Sequence, residues 1–143
     1  MIIGAVKEKK KFENRVSIPP DDVKNYVKAG HQVLIEKGAG SLSGFNDKSY
    51  KESGASLSTS KEVFKNSDII LKINCPTPDE SKLIKNNSMV ISQISIQNNQ
   101  DSIKILNSKK ISAFALELVP RITRAQDMDI LSSQANLAGY HAV

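Results

Sequence analysis

Apolar residues in this chain gather in short, unbroken runs separated by stretches with helical spacing. The runs cover residues 2–6, 32–36, 69–73, 89–94 and 111–116 and are rich in Ile, Val and Leu. Continuous apolar runs are expected where a strand is buried on both faces of a parallel sheet. Between them lie helix patterns. Pro20 opens the first, with Val23, Tyr26 and Val27 on one face and Gly30 as its stop. Others cover 47–52, 60–66, 79–85 and 100–108, and a last one runs from Arg124 to the end of the sequence. Strand–helix alternation predicts right-handed crossovers and an α/β architecture with a mostly parallel sheet. No internal repeat, low-complexity segment or linker interrupts the pattern, so residues 1–143 are expected to form one domain.

The last helix pattern is unlike the rest. From Gln126 to Val143 it sets Met128, Leu131, Ala135, Ala138 and Ala142 on one seam, then stops without a C-cap glycine or a following proline. About 18 helical residues would span roughly 27 Å, enough to reach another domain. The expectation is a chain cut within a linker helix, with an unsatisfied seam that promotes association.

Composition narrows the function classes. Cys75 is the one cysteine, which excludes an internal disulfide. With His31 and His141 far apart and no acidic cluster near either, no metal centre is expected. A net charge of +5 invites a nucleic-acid reading, but the lysines are scattered and aromatics make up only 5%, so no nucleic-acid partner is expected. Of the 20 cations only Arg15, Arg121 and Arg124 are arginines, and only arginine offers a planar fork of donors.

Two stretches could carry chemistry. Gly38-Ala39-Gly40-Ser41-Leu42-Ser43-Gly44 follows a predicted strand, but its spacing is one residue too long for the dinucleotide fingerprint, and a structural turn is expected. No nucleophile lies beside a base in a recognisable arrangement. The second stretch runs from Pro120 to Gln134, after the last strand, where α/β sheets place ligand-binding loops. Arg121 precedes a helix pattern on which Gln126, Asp129 and Ser132 recur along one side. Thr123-Arg124-Ala125-Gln126 also matches a capping box. Spacing alone supports a cap and a ligand site equally, although a cap leaves two arginines at the positive end of the helix dipole unexplained.

From Arg121 to Tyr140 the sequence resembles the signature of the alpha subunits of proton-translocating NAD(P) transhydrogenases, within the alanine dehydrogenase/transhydrogenase N-terminal family. Gly4-Ala5-Val6-Lys7-Glu8, Glu13-Asn14-Arg15-Val16, Pro19, residues 33–40, Gly54-Ala55 and residues 69–72 agree with the same family, so the likeness covers the whole chain. The resemblance implies a three-layer Rossmann-like or flavodoxin-like domain, the first of two that hold NAD(H) in the cleft between them. Residues 124–143 would be the interdomain linker, and the second domain, with the dinucleotide fingerprint, would follow. It also implies hydride transfer between NAD(H) here and NADP(H) on a partner component, coupled to proton movement through a membrane-spanning component. The parent subunit would be a homodimer, cytoplasmic and peripheral to the inner membrane, and this domain would be inactive alone.

Carried over by position, Arg121, Gln126, Asp129 and Ser132 would orient the nicotinamide carboxamide and ribose, acting as the catalytic group. Ile122, Thr123, Arg124, Asp127 and Met128 would line the same side of the cleft. Hydride transfer needs position and polarity from the protein and no acid or base, in keeping with the lack of one here. The nearest competing resemblance is to alanine dehydrogenases, whose substrate carboxylate is held by an Arg and a Lys aligning with Arg15 and Lys72. Their acid/base histidine has no counterpart in Ser92-Gln93-Ile94-Ser95-Ile96-Gln97, so Arg15 and Lys72 are expected to be structural. A third alternative is a stand-alone binding module without catalysis.

Overall fold

The computed structural model describes residues 1–142. Six strands form one sheet: β1 (Ile2–Ala5), β2 (Gln32–Glu36), β3 (Ser56–Ser58), β4 (Ile69–Asn74), β5 (Met89–Gln93) and β6 (Ser112–Ala115). Their order is β3-β2-β1-β4-β5-β6, and every neighbouring pair is parallel. Side chains on successive strand residues point to opposite faces, and the two faces carry separate cores. Ile3, Ala5, Val33 and Ile35 pack with Val23 of helix α1 (Pro20–Lys28) and Tyr50 of α2 (Asp47–Glu52). Ile70 and Val90 pack with Val63 and Phe64 of α3 (Ser60–Asn66), Ile84 just after α4 (Pro78–Leu83), and Leu106 of α5 (Gln100–Ser108). The result is a three-layer α/β domain.

Local signals explain the element ends. Pro20 sits at the first turn of α1, and past its C-terminus Gly30 takes φ +84, which a side chain would resist. Asn46 accepts from the Ser49 amide at the start of α2. Thr59 with Glu62, and Thr77 with Glu80, close capping boxes on α3 and α4. The edge strand β3 has no counterpart among the predicted runs. It is three residues long with Leu57 as its only large apolar residue, too short for periodicity to register.

The C-terminal region departs most from expectation. Thr123–Met128 is a 3-10 segment, and the α-helix α6 begins only at Ile130 and ends at His141. Its 12 residues span roughly 18 Å. The break falls at Asp129, which leaves helical geometry at φ −78, ψ 96 and caps α6 with its own carboxylate. A short acidic side chain that satisfies the first orphan amides restarts the helix there. The expected capping box is absent: Ile122 precedes the 3-10 segment, and no side chain caps it. The predicted seam is solvent-facing, with Met128 57% and Leu131 42% exposed, and α6 buries no residue. Val143, counted in the predicted helix, lies outside the described residues.

Candidate functional site

The order of the strands reverses between β1 and β4, the position at which open α/β sheets form a crevice beyond the strand carboxyl ends. The loop after β1, the C-terminal end of β4 and helix α6 meet there. They enclose a space of about 740 Å3 walled by Arg15, Lys72, Gln93, Leu116, Leu131 and Gln134, among others.

Both cations of this crevice are held by acids. Arg15 donates through Nε and Nη2 to the two oxygens of Glu13, at 2.8 and 2.7 Å, and through Nη1 to Gln134 Oε1 at 3.0 Å. The two-pronged contact is the fork geometry that makes Arg–carboxylate pairs strong. The Arg15 guanidinium pulls the Glu13 carboxyl down to about 2. Lys72 is buried with its Nζ 3.5 Å from both Glu8 and Glu80, two acids that are themselves buried. Glu8 also accepts from the Ile73 amide at 2.7 Å. Burial alone would raise the Glu80 carboxyl, but Lys72, the Thr77 amide and Lys9 together hold it below its ordinary value. Buried charge persists only where it is paired in this way. Burial pushes the thiol of nearby Cys75 up to about 11, which disfavours its nucleophilic thiolate form.

The segment singled out by sequence forms a second, smaller cleft. Arg121, Ile122, Thr123, Gln126, Asp129 and Ser132 line a space of about 280 Å3. Asp129 Oδ1 accepts from the amides of Leu131 and Ser132, at 2.9 and 3.2 Å, and Oδ2 accepts from Ser132 Oγ at 2.6 Å. These bonds, the Ser132 hydroxyl first, lower the Asp129 carboxyl from its ordinary 3.8. Arg121 adds to that lowering through its charge. The Gln126 amide and the Arg121 guanidinium make no hydrogen bond among the described residues, so their donors are available. Ala125 and Asp129 are buried, while the other residues from Arg121 to Met128 are exposed. Arg124, Asp127 and Met128 do not line this cleft.

The Gly38–Gly44 stretch is a turn. A Cβ on Gly40 would lie 2.8 Å from Phe45 Cβ and 2.8 Å from the Tyr50 ring, so side-chain packing demands glycine there. Sequence reasoning missed Glu8, Glu13, Glu80 and Gln134. The Thr77-x-x-Glu80 capping pattern was a usable signal for Glu80, and the Glu13-Asn14-Arg15 spacing for Glu13; Glu8 and Gln134 meet Lys72 and Arg15 only through the fold. Among the described residues no cluster of His, Cys, Asp and Glu could hold a metal ion, and no helix is long and apolar enough to cross a membrane.

Comparison with known proteins places these features in context. The family model described as alanine dehydrogenase/PNT, N-terminal domain, matches residues 4–138. The chain is 41% identical over its full length to the NAD(P) transhydrogenase subunit alpha of Haemophilus influenzae, of which it covers 28%. It is 38% identical, over 97% of its length, to an alanine dehydrogenase of Methanococcus maripaludis, of which it covers 37%. A solved transhydrogenase structure from Sinorhizobium meliloti superposes with a TM-score of 0.93 at 38% identity, covering 98% of this chain and 42% of that one. The chain thus spans less than half the length of each of these relatives.

Proposed function

The chain belongs to the alanine dehydrogenase/PNT N-terminal domain family, and from that premise we propose that it is the first domain of the NAD(H)-binding component of a proton-translocating NAD(P) transhydrogenase. In this reading 1–143 is followed by a second nucleotide-binding domain, with α6 leading towards it. NAD(H) is shared between the two domains, and NADP(H) is held by a partner component. The parent subunit is a homodimer, cytoplasmic and peripheral to the inner membrane through a membrane-spanning component. This domain alone does not transfer hydride.

One observation carries the proposal: Arg121, Gln126, Asp129 and Ser132, named from the sequence signature, line one cleft. The donor set fits a nicotinamide nucleotide. Gln126 offers an amide that can pair with a carboxamide in one rotation. Arg121 offers a guanidinium, and Asp129 Oδ2 keeps acceptor capacity beyond its bond from Ser132. The bound dinucleotide supplies the hydride chemistry. The protein's residues bind, orient and exclude water, and no side chain has to move a proton. Ile122 and Thr123 line the same cleft, and in this reading the exposed Arg124, Asp127 and Met128 meet the nucleotide from outside it.

Amino-acid oxidation by an alanine dehydrogenase-like parent is the second reading, favoured by the relative from Methanococcus maripaludis. Against it, Arg15 and Lys72 are already engaged by Glu13, Glu8 and Glu80, and residues 92–97 hold no histidine. The parent subunit mixed with an NADP(H) component should reduce an NAD analogue from NADPH, and should not oxidise NADH with pyruvate and ammonia. The reverse result would exchange the two readings.

A further inference from the structure

Helix α6 carries Ser132 and is capped by Asp129, yet it buries none of its residues. Among the described residues its side chains make one hydrogen bond to the α/β body, from Arg15 Nη1 to Gln134 Oε1 at 3.0 Å. Arg15 is well placed to be a fixed post. Its Nε and Nη2 donate to Glu13, and Glu13 in turn accepts from Asn74 Nδ2 at 3.2 Å at the end of β4. The loop itself is stapled on both sides of Arg15. Ser17 Oγ donates to the Leu71 carbonyl at 2.8 Å, and Ser43 Oγ donates to the Asn14 carbonyl at 2.6 Å.

We infer that Arg15 is a positioning residue, which holds α6 through Gln134 and so fixes Asp129 and Ser132 relative to the sheet. The inference rests on the transhydrogenase reading for its consequence in catalysis, though not for the contact itself. Gln134 lies five residues beyond Asp129 on the same element, so a helix released at Gln134 pivots about its cap. Misplacement of a positioning group by about 1 Å can cost on the order of a hundredfold in rate. Arg15 makes no hydrogen bond to Asp129 or Ser132 among the described residues, and its one hydrogen bond to α6 is to Gln134. Lysine cannot replace it, because one ammonium does not reproduce two prongs on Glu13 and a third donor on Gln134.

The test has two readouts. The first is hydrogen exchange of the α6 amides in the 143-residue chain. Arg15→Ala, Arg15→Lys and Gln134→Ala should each speed it, while α1 and α5 amides are unaffected. Gln134→Glu, which keeps an acceptor for Arg15, should retain wild-type protection. The second is hydride transfer in the parent subunit with saturating NADH. Arg15→Ala and Gln134→Ala should each lower kcat about tenfold with little change in KM. The double variant should fall no further than either single one, because both changes break one contact. Unchanged α6 exchange in Arg15→Ala overturns the inference, as does a multiplicative loss in the double variant. Loosened exchange with wild-type hydride transfer in the variants also overturns it. If α6 loosens as expected while the wild-type parent transfers no hydride between the two nucleotides, the functional reading fails and the tether stands.

Discussion

Asp129 and Ser132 are each other's partner: Ser132 Oγ donates to Asp129 Oδ2 at 2.6 Å, while Asp129 Oδ1 receives the first free amides of α6. Capping, which the sequence leaves as a rival to ligand binding, occupies Oδ1, so the proposed ligand role would fall to Oδ2. Asp129→Asn should keep the helix, since Asn caps about as well as Asp, but should slow hydride transfer in the parent by removing the charge. Asp129→Ala should lower both helicity, read by circular dichroism, and hydride transfer. Equal rates in wild type and Asp129→Asn would reduce Asp129 to a cap.

The clamp on Arg15 makes a pH prediction. Glu13 is depressed to about 2, chiefly by its hydrogen bonds from Arg15. A carboxyl whose folded value lies below its unfolded value stabilises the fold above the unfolded value, and that contribution is lost as pH falls through the folded one. Glu13 should thus support the fold fully above its ordinary 4.5 and stop doing so towards about 2. Carboxyl NMR titration should find Glu13 ionised at pH 3 in the wild type and shifted back towards 4.5 in Arg15→Ala.

Lys72 should matter to stability more than to nucleotide binding. Its ammonium sits between two buried acids, Glu8 and Glu80. Lys72→Met leaves those carboxylates uncompensated and should cost about 3–5 kcal/mol in urea unfolding. Adding Glu80→Gln to Lys72→Met should recover part of that loss, because one buried charge is then removed.

Gly40 separates a packing turn from a phosphate cradle. Gly40→Ala forces a Cβ into Phe45 and Tyr50 and should cost about 1–3 kcal/mol through overpacking. NADH affinity of the parent should stay unchanged. A fall in affinity with stability intact would restore the phosphate-loop reading of this stretch.

Much of the scaffold was legible because local chemistry and tertiary packing agree along it. The runs at 32–36, 60–66 and 100–108 match β2, α3 and α5 in extent, the first as an apolar run and the other two as helical patterns that pack buried side chains on the sheet. The C-terminal helix was misread because a helical period persists from Gln126 onward while Asp129 interrupts the backbone. A hydrophobic pattern records which side chains share a face; it does not record where a capping carboxylate breaks the ladder. β3 escaped because three residues carry too little pattern. The buried pairing of Glu8 with Lys72 has no sequence signature, as the fold joins the segment after β1 to β4 across 64 residues. The segment from Arg121 to Ser132 stood out for a different reason: its polar residues lie within one short stretch, spacing left cap and ligand site equal, and only the family resemblance named the four that line one cleft.

The most direct test is a structure of the parent subunit, this domain together with its continuation, bound to NADH. The account predicts the nicotinamide carboxamide and ribose within hydrogen-bond distance, about 3 Å, of Gln126, Asp129, Ser132 and Arg121. A nucleotide bound elsewhere, with those four side chains facing away from it, would contradict the account and leave Asp129 as the cap of an ordinary helix.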